Sequence, residues 1–147
     1  MKWVTRARPK TDRIACPWLI RRFIDPAAEI LYVPTDQVLV VEREQQANGF
    51  DTPGARYDHR DGMCTFEVLF DEFDLGRDEA LARLARVVHA ADIDSELHTD
   101  PLGPGLLAIG LGGLSVEADD ERLLELASFV YDALYEWCRQ QVAAETT

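Results

Sequence analysis

Cysteine is scarce and unpatterned. Cys16, Cys64 and Cys138 are the three in the chain, and no two of them form a Cys-x-x-Cys pair. Thioredoxin-like redox chemistry therefore has no local support, and an odd, sparse set without an export signal fits a reducing cytosol. Long apolar runs are also missing. The longest, Leu106 to Leu114, falls far short of the roughly 20 residues that a membrane-spanning helix needs. The basic opening from Met1 to Lys10 leads into no apolar stretch with a small-residue cleavage site, so no signal peptide is expected. Surplus positive charge is missing as well. A net charge of −12 opposes nucleic acid or an anionic membrane as the main partner, because phosphate binding needs extra lysine and arginine.

Familiar catalytic signatures fail one by one. Gly103-Pro-Gly105-Leu-Leu-Ala108 matches a dinucleotide-binding pattern by letter, but it follows the polar run His98 to Pro101 where that pattern needs a strand. There is no Walker A sequence, and no nucleotide cofactor is expected. Ser115 lacks a nucleophile-elbow context. Asp58-His59 reverses the His-Asp order of metal-dependent phosphohydrolases. Gly110, Gly112 and Gly113 read as the end of a helix rather than a phosphate cradle.

What is present suffices for one domain. The chain has 147 residues, 47% of them hydrophobic, the size of a single ordinary core. The expected domain runs from residue 1 to 143, with 144–147 as a frayed tail. Lys2 to Arg6 and Glu29 to Val33 read as strands. Asp12 is a plausible N-cap for a helix whose apolar stripe is Cys16, Leu19, Ile20, Phe23 and Ile24. Further helices are expected over Val38–Gln46, Thr65–Phe73, Asp78–Ala91, Leu106–Leu111 and Ala118–Ala143, with Phe50 to Tyr57 extended. Cys16, Cys138, Trp18 and Trp137 fall on apolar faces and read as core. The expected class is α+β rather than a βαβ repeat: a small mixed or antiparallel sheet near the N-terminus, packed by a mainly helical C-terminal two-thirds.

Charge is unevenly placed. Residues 1–22 hold Lys2, Arg6, Arg8, Lys10, Arg13, Arg21 and Arg22 against the single acid Asp12, a net of +6. Such a patch in an acidic protein can concentrate a small anion by focusing the local field. Pairing with acids of the same chain would use the same arginines for structure.

The stretch Asp58 to Glu67 holds an imidazole, a thiol and several carboxylates where a strand leads into a helix, with Gly62 allowing a tight turn. His59, Cys64 and Glu67 are residue types that bind transition metals. His89 and Asp92 stand three apart on an expected helix and face the same way. Asp92 also extends the buried stripe of Leu81, Leu84, Ala85 and Val88, and a carboxylate there is costly unless paired or bound to a cation. The competing reading is that the helix has ended by Asp92. If the two segments meet, His59, Glu67, His89 and Asp92 form an N/O-rich site, with Cys64 either a fifth ligand or a bystander. That donor set suits iron, manganese or zinc better than calcium.

Several blocks resemble the ChrB C-terminal domain family of chromate-resistance proteins. They are Lys2 to Arg6, Arg8-Pro9, the long block from Asp12 to Asp25, Leu31 to Pro34, Phe50 to Gly54, Cys64 to Glu67, Val88 to Asp92 and Tyr131 to Cys138. The resemblance runs along nearly the whole chain. It implies a role in chromate resistance, commonly beside a chromate efflux transporter and with a regulatory or transporter partner. Longer members of the family are regarded as chromate-responsive regulators with an additional N-terminal region. The sequence opens directly in the shared domain, so no direct DNA binding is expected, and the expected location is the cytoplasm.

Three functions fit. The first is a sensor or accessory module that binds a metal, an oxyanion or both. Chromate, a tetrahedral dianion, would be held by charge-assisted donors among Arg6, Arg8, Lys10, Arg13, Arg21 and Arg22. The second is an enzyme using the metal or the Cys64 thiolate on chromate or another small oxyanion, with Arg60 or the metal lowering the thiol pKa. The third is a non-catalytic interaction domain. The first ranks highest, because no catalytic constellation stands out by itself.

Overall fold

The computed structural model describes residues 1–146. Three strands form one sheet. β1 (Lys2–Arg6) lies in the centre, with β2 (Glu29–Val33) on one side and the two-residue β3 (Asn48–Gly49) on the other. Both pairings are parallel. The α+β class stands, but the mixed or antiparallel sheet does not, and β1 to β2 is the crossover unit that the sequence reading set aside. Parallel neighbours need a connection of a dozen or more residues, and residues 7–28 supply one that holds a helix. Trp3, Val4 and Thr5 are all buried in succession, as expected for a strand covered on both faces.

α1 (Asp12–Leu19) carries Pro17 in its interior, not in its first turn. Proline leaves the carbonyl four residues earlier without its helical donor. The Tyr32 hydroxyl of β2 fills that vacancy, donating to the Arg13 carbonyl at 2.7 Å. The helix then widens into a π-turn over Ile20–Ile24, closed by Asp25 N–H to the Ile20 carbonyl at 2.6 Å. The N-cap position is Thr11, at φ 46°, and not Asp12. α2 (Val38–Glu44) ends earlier than expected, and residues 50–57 form a looped excursion closed by one Phe50–Tyr57 bridge rather than a strand.

The remaining helices are α3 (Thr65–Glu72), α4 (Glu79–Asp92), α5 (Gly103–Val116) and α6 (Asp120–Glu145). α4 is central: Leu81, Leu84, Val87 and Val88 are fully buried in the core. Its Asp78 cap accepts from Leu81 N–H at 2.9 Å and from the Tyr135 hydroxyl of α6 at 2.5 Å. Helix α5 is more than twice as long as expected, and Gly105, Gly110, Gly112 and Gly113 lie within it. Glycine lowers helix stability by about 1 kcal/mol per residue but does not terminate a helix held by packing. Gly103 permits that packing, since a Cβ there would stand 2.8 Å from the Ala90 Cβ of α4. α6 continues through Ala144 and Glu145; Thr147 of the expected tail lies outside the described residues. Trp18 is core, but Trp137 is 36% exposed beneath the Arg83 guanidinium. Among the described residues no helix is long and apolar enough to cross a membrane.

Candidate functional site

α3 begins where the β3 excursion returns to the core, and its first turn organises the site. Cys64 is the N-cap, and Glu67 accepts from the Cys64 N–H at 3.0 Å. The free N–H groups of Thr65 and Phe66 point at a carboxylate from another helix: Asp12 accepts from them at 2.8 and 3.2 Å. A helix N-terminus favours such an anion. Asp12 is 0% exposed, and burial raises its pKa above the ordinary carboxylate value despite these donors.

Two further carboxylates arrive beside it. Asp51 sits in the left-handed region at φ 51°, where aspartate is tolerated better than most residues. It accepts from the Thr65 hydroxyl at 2.9 Å and pairs with Arg6 at 3.4 Å and Arg13 at 3.5 Å. Asp92 closes α4. The imidazole of His59 meets all three. Its Nε2 stands 3.4 Å from Asp12, 3.3 Å from Asp51 and 3.0 Å from Asp92. One ring N–H cannot serve three oxygens well. The spacings suit a different geometry: ligands about 2.1 Å from an ion lie about 3.0 Å apart along an octahedral edge and about 3.4 Å along a tetrahedral one. All four donor atoms are within 4.8 Å of one another. Three carboxylates and one imidazole fit manganese, iron or zinc.

Electrostatics describe the same convergence. Hydrogen bonds to Asp12 and Asp51 push the His59 pKa up to about 11. Burial, then the charges of Asp12 and Asp51, push Asp92 up to about 7. The imidazolium is the local cation that offsets the carboxylates, and an ion held by the same atoms would have to displace the His59 proton.

The site opens into a cavity of about 230 Å³ lined by Arg6, Lys10, Arg13, Asp51, His59 and Asp92. The Arg6 guanidinium also bonds to the Asp51 carbonyl at 3.0 Å, and Arg13 bonds to the Ala7 carbonyl at 3.2 Å. Lys10 is partly buried, and its ammonium has no hydrogen bond or ion pair among the described residues. The other three basic candidates are elsewhere. Arg8 binds the carbonyls of Leu114, Glu117 and Ala118 and pairs with Asp120. Arg21 donates to the Ala28 carbonyl. Arg22 pairs with Asp132 and lies over the rings of Trp18, Phe23 and Tyr135.

The five metal candidates read from sequence divide into two groups. His59 and Asp92 meet; Cys64, Glu67 and His89 form a second cluster, with His89 Nδ1 2.5 Å from Glu67. The groups adjoin through consecutive residues, since Cys64 belongs to one and Thr65 bonds to the other. Cys64 is no loop thiol. It is 0% exposed, and burial with the charges of Asp12 and Glu67 pushes its pKa far above the ordinary thiol range. Arg60, offered as the charge to lower that pKa, instead bonds to Glu72 at 2.6 Å and Asp71 at 3.0 Å. Sequence reasoning missed Asp12 and Asp51. Asp12 looked like an ordinary helix cap, and nothing in the period around Asp51 marked it as buried. Both, however, lie within the blocks on which the family resemblance rests.

Comparison with known proteins places the chain. It is 37% identical over 134 residues to "Protein ChrB" of Cupriavidus metallidurans, an alignment covering 91% of this chain and 40% of that protein. The chain thus spans about 40% of the length of this curated relative. No solved structure matches. The family model described as "ChrB, C-terminal domain" matches residues 3–138, a span that includes Asp12, Asp51, His59 and Asp92. On this match and that identity, the chain belongs to the ChrB C-terminal domain family.

Proposed function

We propose that this chain is a chromate-resistance module that holds a divalent transition metal with Asp12, Asp51, His59 and Asp92 and receives a tetrahedral oxyanion beside it. The observation that carries this reading is the meeting of three carboxylate oxygens around His59 Nε2, at 3.4, 3.3 and 3.0 Å. A cation between them would replace the shared proton and relieve the repulsion of buried like charges. Manganese, iron and zinc are the ions this donor set favours. When bound, the metal would offer a Lewis-acid position toward the cavity. Arg6, Lys10 and Arg13 line that cavity. Two of them already neutralise Asp51, while Lys10 is free to donate to an incoming dianion such as chromate.

Sensing or accessory binding remains the preferred role over catalysis. The buried, protonated Cys64 supplies no ready electron pair. A regulatory or transporter partner from the chromate-resistance system fits such a module. A second metal reading rests on Cys64, Glu67 and His89, whose donor atoms also lie within 4.8 Å of one another; a thiophilic ion such as zinc would favour it.

Equilibrium titration with manganese, iron(II) and zinc, followed by chromate and sulfate on the metal-loaded and metal-free protein, tests the proposal. Saturable metal binding lost in Asp12→Asn, and anion binding strengthened by the metal, are the expected results. No saturable binding of either ion at physiological salt would overturn it.

A further inference from the structure

Helix α5 is chemically unlike the rest of the molecule. Its sequence, GPGLLAIGLGGLSV, contains no charged residue, and only Gly103 and Leu106 in it are buried. A helix apolar on most of its circumference is normally covered. Here much of the circumference is open: Ile109, 52% exposed, and Val116, 84%, share one face, and Leu111, 50%, lies on the other flank.

The arrangement on that face identifies what covers it. At 100° per residue, Gly105, Ile109, Gly112 and Val116 fall on one narrow strip. Along the strip, large and small alternate. A Cβ at Gly105 or Gly112 would meet nothing within 4 Å, so each glycine is an open notch. Each notch is followed by an exposed knob. This order is self-complementary. If a second α5 lies antiparallel about a two-fold axis between residues 110 and 111, Ile109 faces Gly112 of the other copy and Val116 faces Gly105. The same rotation supplies the reverse pairs. A two-fold contact requires this property, because each patch must match itself. An unrelated partner would not.

Charge favours the same occupant. Two chains of net −12 repel each other over most of their surfaces. α5 is, among the described residues, the one helix without charge, and there the two copies can approach most closely. One helix of 14 residues is about 21 Å long, short for a stable interface. The apolar surface continues onto α6, however, at Leu126, which is 46% exposed and lines the same groove as Ile109 and Val116. A groove of about 380 Å³ between the two helices, lined by Ile109, Gly112, Val116 and Leu126 among others, gives the partner's side chains a place to enter.

We infer that α5 is the dimerisation helix of this protein, pairing antiparallel with a second copy so that Ile109 and Val116 fill the notches at Gly112 and Gly105. The metal reading is not needed for this inference, and neither stands or falls with the other.

Sedimentation velocity of the full chain across the micromolar range, at low and high salt, is the first test. A monomer–dimer equilibrium is expected, strengthened by salt because screening removes repulsion while the contact itself is apolar. Ile109→Glu, at a half-exposed position, should weaken association at least about tenfold while leaving the far-UV circular dichroism spectrum unchanged. The register is tested by single variants Ile109→Cys and Gly112→Cys, mixed under mild oxidation. The mixture should form a disulfide-linked dimer that neither variant forms alone. A monomer at every concentration overturns the inference. So does a dimer that survives Ile109→Glu, or one in which the mixed variants fail to crosslink.

Discussion

Asp12 joins two functions that are usually separate. It starts α1, yet its carboxylate serves α3 as an N-terminal acceptor and faces His59 at the same time. A sequence pattern places Asp12 at the start of α1, because a short acid before an apolar stripe reads as a cap, although the cap position itself is Thr11. It cannot show the second, which depends on α1 and α3 meeting. Asp92 was legible for the opposite reason: it continued a buried stripe, and a carboxylate there needs a partner. His59 offered only its residue type, and Asp51 not even a periodicity. Lys10 gives the cleanest residue-scale test, since its ammonium has no hydrogen bond or ion pair among the described residues. Lys10→Ala should leave metal affinity and melting temperature unchanged and weaken chromate binding about tenfold, the scale of one charge-assisted hydrogen bond. Calorimetric titration of the metal-loaded variant would measure it. An unchanged chromate affinity would exclude Lys10 from the anion site.

Among the elements, helices with a continuous apolar stripe were readable in the sequence, and those governed by packing were not. α4 appeared nearly where expected because Leu81, Leu84, Ala85 and Val88 fall at helical spacing. The glycines of α5 read as stops in the sequence, yet contact with α4 and capping by Arg8 keep the helix going past them at both ends. The parallel sheet was missed for a related reason: strand direction is set by the crossover, not by the strands' own residues. Arg8 is the element-scale test. Its guanidinium gathers three carbonyls and the Asp120 carboxylate where α5 turns into α6. Arg8→Ala should lower stability by about 1 kcal/mol, because the guanidinium and its acceptors are only partly buried and solvent screens the contact. Arg8→Lys should recover little, because an ammonium cannot reproduce the planar fork. Urea denaturation would show both. If Lys restores full stability, the contact is a simple ion pair rather than a clamp.

For the whole molecule, the clustered carboxylates fix how stability varies with pH. The Asp92 pKa is raised from 3.8 to about 7, so its stabilising contribution, complete below 3.8, is lost as pH rises through about 7. His59 is raised from 6.5 to about 11, so its contribution is complete below 6.5 and is lost as pH rises through about 11. Both have the same sign. Metal-free protein should therefore unfold at lower urea concentration at pH 9 than at pH 6. Manganese should reverse the trend, since it binds the deprotonated ligands and gains affinity as protons leave. Urea midpoints with chelator and with manganese would give the two slopes. Parallel slopes would mean that the metal does not engage these groups.

Metal content by mass spectrometry on tag-free protein decides whether Asp12, Asp51, His59 and Asp92 form a metal centre. The comparison is wild type against His59→Ala/Asp92→Ala and against Glu67→Ala/His89→Ala, all purified under reducing conditions. Near-stoichiometric manganese, iron or zinc is expected in the wild type, with its loss in the first double variant and its retention in the second. A wild type that holds no metal even after reconstitution, or metal lost only with Glu67 and His89, would contradict it.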